Sequence, residues 1–259
     1  VTAIGEWGPW INGGAWLTVE RTRVDLVYRD MAKVRGVIAT CYAGRIERAY
    51  QPGHPHGFIS SIWMGEVALC RVLWDPDKVM TPLKRQCDPY PDALGEALIR
   101  TFFWEARFAV ENAEHGSGRD DVNYVAGCIF RTVACLCQTL FALNRVYLLN
   151  EKGAVRGVEK LTRHPPDFAA RVAQIHCFGA AGLPALRGLI GDVEGIDEGL
   201  VPAPEREAPH RDALRLQCRH LAPDEGGARH RGGVDQVGDL HGPERSRMRV
   251  LPVLRARAA

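Results

Sequence analysis

The stretch AWLTVERTRVDLVYR, residues 15–29, decides how this chain is read. In its first arm Ala15, Leu17 and Val19 alternate with Trp16, Thr18 and Glu20. In its second arm Val24, Leu26 and Tyr28 share one face, and Arg23, Asp25, Val27 and Arg29 share the other. A period of two is the mark of a strand, so the stretch predicts a β-hairpin. Its turn falls near Arg21 and Thr22, and Arg21 stands where a glycine would ease positive φ. Asp25 lies mid-strand on the mixed face, where an ionised carboxylate is rare unless it is partnered or functional.

Working outward, Asp30 can cap a helix whose apolar residues Met31, Val34, Val37, Ile38 and Cys41 recur at helical spacing, with Gly44 to end it. YQPGHPHGF, residues 50–58, reads as a loop by its Pro and Gly content. A short helix is expected over Ser60–Leu69, then an extended RVLW and a turn at DPDK. From Pro91 onward the pattern is helical. The expected spans are about 92–115, about 120–149, about 154–161 and about 167–196, the last weakened by glycines and Pro184. Short connections between them imply an antiparallel bundle. Phe102, Phe103, Trp104 and Phe108, with Phe130, Leu136 and Phe141, are the expected aromatic and aliphatic core of that bundle. After about residue 200 the periodicity disappears, and the tail is expected to be disordered or loosely packed.

The fold class that follows is α+β: a β-hairpin with helices over 1–90, a helical bundle over 91–198, and a tail over 199–259. With 46% apolar residues and a formal net charge of +2, the chain carries a sizeable core and no strong field for nucleic acid or a membrane surface. The eight cysteines form no CxxC pair and sit mostly among apolar residues, which predicts reduced, buried thiols in a cytoplasmic protein. No signal peptide is read at the start. The apolar run Val125–Leu149 is interrupted by Arg131, Gln138 and Arg145, favouring a core helix over a membrane span.

The segment GEWGPWINGGAWLTVERTRVDLVYRDMAKV, residues 5–34, resembles the middle of a nucleotidyltransferase domain of the polymerase-β superfamily. GEVALCRVLWDPDK, residues 65–78, and FALNRVYLLNEKGA, residues 141–154, extend the resemblance toward bacterial relatives of the aminoglycoside nucleotidyltransferases. The likeness covers roughly residues 4–196. It implies transfer of an NMP group from a nucleoside triphosphate to a small-molecule hydroxyl or a protein acceptor, with Mg2+ as cofactor. Such enzymes hold two divalent cations with three carboxylates, and RVDLVY places Asp25 as the third, a metal ligand or general base. The alternative is an Asp25 paired with Arg21 or Arg23. The Gly-Ser loop and Asp-x-Asp strand that carry the first two carboxylates are not found before Asp25, so the chain is expected to lack the front of the catalytic domain and to be inactive alone.

By the same resemblance Lys152 and Tyr147 are candidate nucleotide contacts, and Glu151, Asn12 and Glu66 candidate acceptor contacts. Tyr147 and Glu151, four apart, are expected to share a face at the end of the long helix. Lys152 can equally be a cation that favours a helix C-terminus, and Glu66 an exposed helix residue. Asn12 belongs to a loop with Trp10, Gly13 and Gly14, whose glycines permit close backbone approach. His54 and His56 border the same region; two histidines without a third ligand make a weak metal site. Two other functions compete: a non-catalytic nucleotide-binding or regulatory module, and a ribonuclease-type helical toxin domain suggested by the spacing of Arg171 and His176.

Overall fold

The hairpin forms where the alternation places it. β1 (Gly14–Val19) pairs antiparallel with β2 (Thr22–Asp30), and Val19 lies opposite Thr22. Glu20 and Arg21 are therefore the two turn residues, at φ 47° and 69°. Two positive φ values in succession give the mirror-image turn whose twist suits a hairpin, but both residues carry a Cβ that disfavours that conformation. Replacing Glu20→Asn together with Arg21→Gly is expected to raise stability by about 1 kcal/mol. The urea midpoint checks this, and an unmoved midpoint would mean the turn holds no strain.

The computed structural model describes residues 1–3, 5–196 and, as backbone, 250–256. These belong to one compact unit, Val1–Leu200 with Met248–Ala259; the second unit, Val201–Arg247, lies outside the described residues. So does most of the tail expected to be disordered. Val250–Ala256, however, is a strand, β5, paired antiparallel along the outer side of β2 from Asp30 to Val24. The open edge of β2 offered unpaired N–H and C=O groups, a contact that periodicity within the tail could not announce.

Asp30 ends the hairpin and starts α2 (Met31–Tyr42), its Oδ1 accepting the Ala32 N–H at 2.8 Å. Met31, Val34, Val37, Ile38 and Cys41 are the buried face, as the spacing predicts. Gly44 follows at φ 71°, and a Cβ there would stand 2.8 Å from the Ala93 carbonyl oxygen. The segment expected as a loop is instead a second hairpin, β3 (Arg48–Gln51) and β4 (His54–Ile59). Pro52 and Gly53 are confined to its turn, with Gly53 at φ 88°. Pro55 is tolerated because this sheet has only two strands and an irregular register, so few ladder bonds are lost.

α3 (Ser61–Leu69) and α4 (Met80–Cys87) follow. Asp75 caps the approach to α4, its two carboxylate oxygens accepting the Val79 and Met80 N–H groups at 2.9 Å each. Lys84 on α4 ties the two helices together. Its Nζ donates to the carbonyls of Val67, Ala68 and Cys70 at 3.2, 2.6 and 2.9 Å, at the end of α3 where helix carbonyls lack partners. Lys84→Met is expected to cost about 1–2 kcal/mol by leaving those carbonyls bare. Guanidinium unfolding measures it, and a loss below experimental error would show that water replaces the ammonium freely.

The long pair α5 (Asp92–Ser117) and α6 (Val122–Leu143) runs antiparallel, with Arg145 beside Gly95, Arg131 on Glu105 and Tyr124 beside Gly116. α6 is the one helix among the described residues long and apolar enough to cross a membrane, and it is packed mainly against α5. It ends six residues earlier than the sequence pattern predicts. Asn144 closes it, its Nδ2 donating to the Leu140 carbonyl at 2.7 Å and its Oδ1 accepting the Arg163 N–H at 2.8 Å, and Arg145 turns the chain at φ 55°. The residues that prolong the pattern, 146–150, are neither helix nor strand, and of them Tyr147 and Leu148 pack against the core. After it come α7 (Ala154–Val158), α8 (Phe168–Phe178) and α9 (Leu183–Ile196). The single helix expected over 167–196 is divided by a 3-10 turn at Gly179–Gly182. One hydrophobic core, from Trp10 to Val193, runs through the helices and β4, and its buried residues include none from the first hairpin.

Phe102, Leu136 and Phe141 join that core or its margin, but Trp104 and Phe108 do not: they are 47% and 39% exposed and stack on each other at 5.3 Å. A residue one position along a helix faces 100° away, which a run of aromatics conceals. Cys41, Cys87, Cys135 and Cys137 are buried free thiols, with burial pushing Cys87 and Cys137 up to about 12, whereas Cys177 is exposed.

Candidate functional site

On the face of the first hairpin that carries Asp25, Trp16 and Arg23 are exposed, Asp25 and Val27 are half-buried and Arg29 is buried. Trp16 lies directly across from Asp25, and Trp7 stacks on Trp16 with ring centroids 4.9 Å apart. The Trp7 carbonyl accepts from Gln51 Nε2 at 3.4 Å, and Gln51 is paired with His54 across the turn of the second hairpin. His54 Nδ1 is 3.1 Å from Glu151 Oε2, and Glu151 Oε1 accepts the His56 N–H at 3.2 Å. A continuous set of contacts thus joins the Asp25 strand to the loop that bears Glu151 and Lys152. Asp25 is half-buried, and the Lys152 side chain is exposed.

Two of the sequence-derived candidates, Glu66 and Tyr147, are occupied by structural work. Glu66 is buried, 8% exposed, and forms a two-point ion pair with Arg29: Nε to Oε2 at 2.8 Å and Nη2 to Oε1 at 2.9 Å. Arg29 Nη1 also donates to the carbonyls of Ile11 and Tyr28 at 3.0 and 2.9 Å. Glu66 is therefore neither an exposed helix residue nor open to an acceptor; it neutralises the buried guanidinium at the base of the hairpin. The cavity beside the pair, lined by Arg29, Trp63, Glu66 and Met80 among others, measures about 40 Å3, room for a water or two and far from that of a triphosphate.

Tyr147 lies beyond the end of α6, so it does not share a helix face with Glu151. Its hydroxyl donates to the Cys87 carbonyl at 2.7 Å, its ring packs on Tyr90 at 4.6 Å, and burial pushes its phenol well above the ordinary range. It is a strut between α4 and the bundle. Asn12 ends a short helix, α1 (Gly8–Ile11), at φ 65°, and its Oδ1 is buried with no hydrogen-bond partner. The adjacent glycines serve chain packing: a Cβ on Gly14 would sit 1.9 Å from the Leu26 carbonyl oxygen, and one on Gly13 would sit 2.6 Å from that of Ala3.

Glu151, by contrast, stands in a polar cluster that sequence reasoning only touched. Burial works to raise its carboxyl, but the His54 hydrogen bond and charge and the His56 N–H together hold it below the usual value. His56 is 3% exposed and lies 2.9 Å from Arg131 Nη1 through its Nδ1. An arginine can only donate, so this Nδ1 accepts and the proton of neutral His56 sits on Nε2, which is buried without a partner. Burial first, and the Arg131 charge second, push His56 down to about 4. Arg131 Nε donates to Glu105 Oε1 at 2.5 Å, and Glu105 also receives Arg48 at 2.5 Å. The HPH spacing was the available signal: in a strand, residues two apart share a face, whereas in the expected loop they need not.

Arg171 pairs with Asp192 at 2.7 Å, while His176 is exposed on α8. Comparison with protein-family models, with curated proteins and with solved structures found no match. Among the described residues no three His, Cys, Asp or Glu side chains gather as a metal site. Asp25 by itself does not fit a two-cation centre.

Proposed function

We propose that this chain is part of a nucleotidyl-transfer machinery that takes a nucleoside triphosphate and directs its NMP group to a small-molecule hydroxyl or a protein acceptor, and that by itself it binds nucleotide without turning over. The reading is carried by one observation: the strand of the half-buried Asp25 is joined through Trp16, Trp7, Gln51 and His54 to the loop of Glu151 and Lys152. The strand supplies an acidic group, Asp25, and the loop an exposed cation, Lys152, the two charges that a polyphosphate and its acceptor need. The motif resemblance in the three quoted segments supports the same assignment. Titration calorimetry of ATP, with and without magnesium, tests it. Binding is expected, with Lys152→Ala weakening it about tenfold, the worth of one charge-assisted phosphate contact. Absence of any ATP binding would sink the proposal.

A second reading, nucleotide binding without chemistry, is favoured by the lone carboxylate. Titration of ATP with and without magnesium separates the two. Magnesium-dependent binding that Asp25→Asn weakens speaks for transfer, and metal-independent binding speaks for the second reading.

A further inference from the structure

Trp16 stands outside the core, yet its ring is already ordered. It is 72% exposed and stacks on Trp7 with ring centroids 4.9 Å apart and planes inclined by 27°. Trp7 is itself held. Its carbonyl accepts from Gln51 Nε2 at 3.4 Å, and its ring lies over Gly14, where a Cβ would stand 3.0 Å from Trp7 Cζ3. Gly14 and Trp16 are two apart on β1 and share a face. Trp7 therefore covers the Gly14 side of the Trp16 indole, and the other side of that ring opens along the strand toward Thr18.

The open side is bounded by polar neighbours. Thr18 is short and exposed, and leaves room for a flat group against the indole. Arg23 is paired with Thr18 across the hairpin, is exposed, and its guanidinium has no hydrogen bond or ion pair among the described residues. Asp25, half-buried, lies across from Trp16 itself. One apolar ring among Thr18, Arg23 and Asp25 is too small a patch for a protein interface, which needs a contiguous apolar centre. It has the area of a single planar ring. Such a face suits a nucleobase, because every base stacks, and a platform ordered before its ligand arrives loses little side-chain freedom on binding. The planar guanidinium of Arg23 adds the cation that a phosphate group takes up at two points.

From this arrangement we propose that the open face of Trp16 is a stacking platform for the base of a nucleoside monophosphate, and that Arg23 takes its phosphate. The site uses neither Glu151 nor Lys152 and requires no turnover, so it stands independently of the transfer reading.

Calorimetry on the full chain with AMP, adenosine and inorganic phosphate tests it, alongside 1H–15N spectra of the indole N–H groups. AMP is expected to bind more tightly than adenosine or phosphate. It is also expected to move the Trp16 indole resonance, which is identified by its loss in Trp16→Phe. Trp16→Ala should weaken AMP about tenfold, within the range for the loss of one base–aromatic stack, while Trp16→Phe stays within about threefold of the wild type. Arg23→Gln should bring AMP down to the level of adenosine, a loss of about tenfold. Trp16 is mostly outside the core, so the far-UV spectrum should be unchanged in Trp16→Ala. If it is not, the wild-type resonance shift and Arg23→Gln decide. No binding of AMP, an unmoved Trp16 resonance at saturation, or undiminished AMP affinity in Trp16→Ala would each overturn the platform. Concentration-dependent association of the chain that Trp16→Ala abolishes, with AMP affinity unchanged, would overturn it too and make Trp16 a contact between copies. Because AMP lacks the pyrophosphate portion, its failure to bind leaves ATP binding through Lys152, and with it the transfer reading, to a separate measurement.

Discussion

Glu66→Leu is expected to remove about 3–5 kcal/mol of folding stability, the cost of leaving a buried charge without its counter-ion. Arg29 and Glu66 each expose 7% of their side chains, so little water reaches either group once the partner is gone. The guanidinium would retain only the Ile11 and Tyr28 carbonyls at 3.0 and 2.9 Å, with its face 5.5 Å from the Trp63 ring. Those are dipoles and a quadrupole, not a full charge. The effect should also be local: Arg29 joins β2, α1 and α3, so the hairpin that carries Asp25 would loosen before the bundle. The double change Arg29→Met with Glu66→Met should recover most of the loss, because two apolar side chains of similar length remove both desolvation penalties together. Urea unfolding of the two single variants and the double completes a cycle. A single-variant loss below about 1 kcal/mol would mean that solvent already solvates the pair, as at a surface bridge.

That ion pair marks where sequence reasoning reached its limit. The first hairpin, the Asp30 cap and the buried stripe of α2 were legible because each is fixed by neighbours within a few residues: alternation, a carboxylate before a helix, apolar spacing of three and four. Glu66 was not legible. Within GEVALC it has no local reason to be buried; the reason is Arg29, which lies 37 residues earlier and reaches it only once β2 and α3 pack. The early end of α6 is of the same kind. The apolar run continues through Val146, Leu148 and Leu149, and what stops the helix is Asn144 bonding to Arg163, a contact 19 residues away. The second hairpin was hidden for another cause: Pro and Gly, read as breakers, sit at a turn and on a two-stranded sheet where they break nothing. Hence the resemblance-based candidates divide by environment. Glu66 and Tyr147 are consumed by tertiary contacts, whereas Glu151 acquired its partners, His54 and His56, from a strand expected as a loop.

The second large effect is expected from pH, through His56. In the unfolded chain this imidazole titrates near its ordinary 6.5; in the folded protein burial, and then the neighbouring Arg131 charge, hold it to about 4. Between those values the unfolded chain binds a proton that the folded chain refuses, so stability falls as the pH falls from 6.5 toward 4. Above 6.5 both states are neutral and this contribution is flat. Each pH unit within the window is worth about 1.4 kcal/mol, for a total of about 3 kcal/mol. His56→Gln, which keeps a side-chain acceptor for Arg131 but cannot titrate, should flatten the slope between pH 6.5 and 4 while costing some stability at pH 7 through a poorer fit against Phe102. Glu151 does not imitate the effect: its folded carboxyl is held below the ordinary 4.5, so its contribution is intact above that value and fades only as the pH falls through the lower folded one. Urea midpoints measured every half unit from pH 7.5 to 4 give the slope directly. A wild-type profile as flat as that of His56→Gln would show that the buried ring accepts its proton in place, with Arg131 moving aside, and would remove the reason for placing the His56 proton on Nε2.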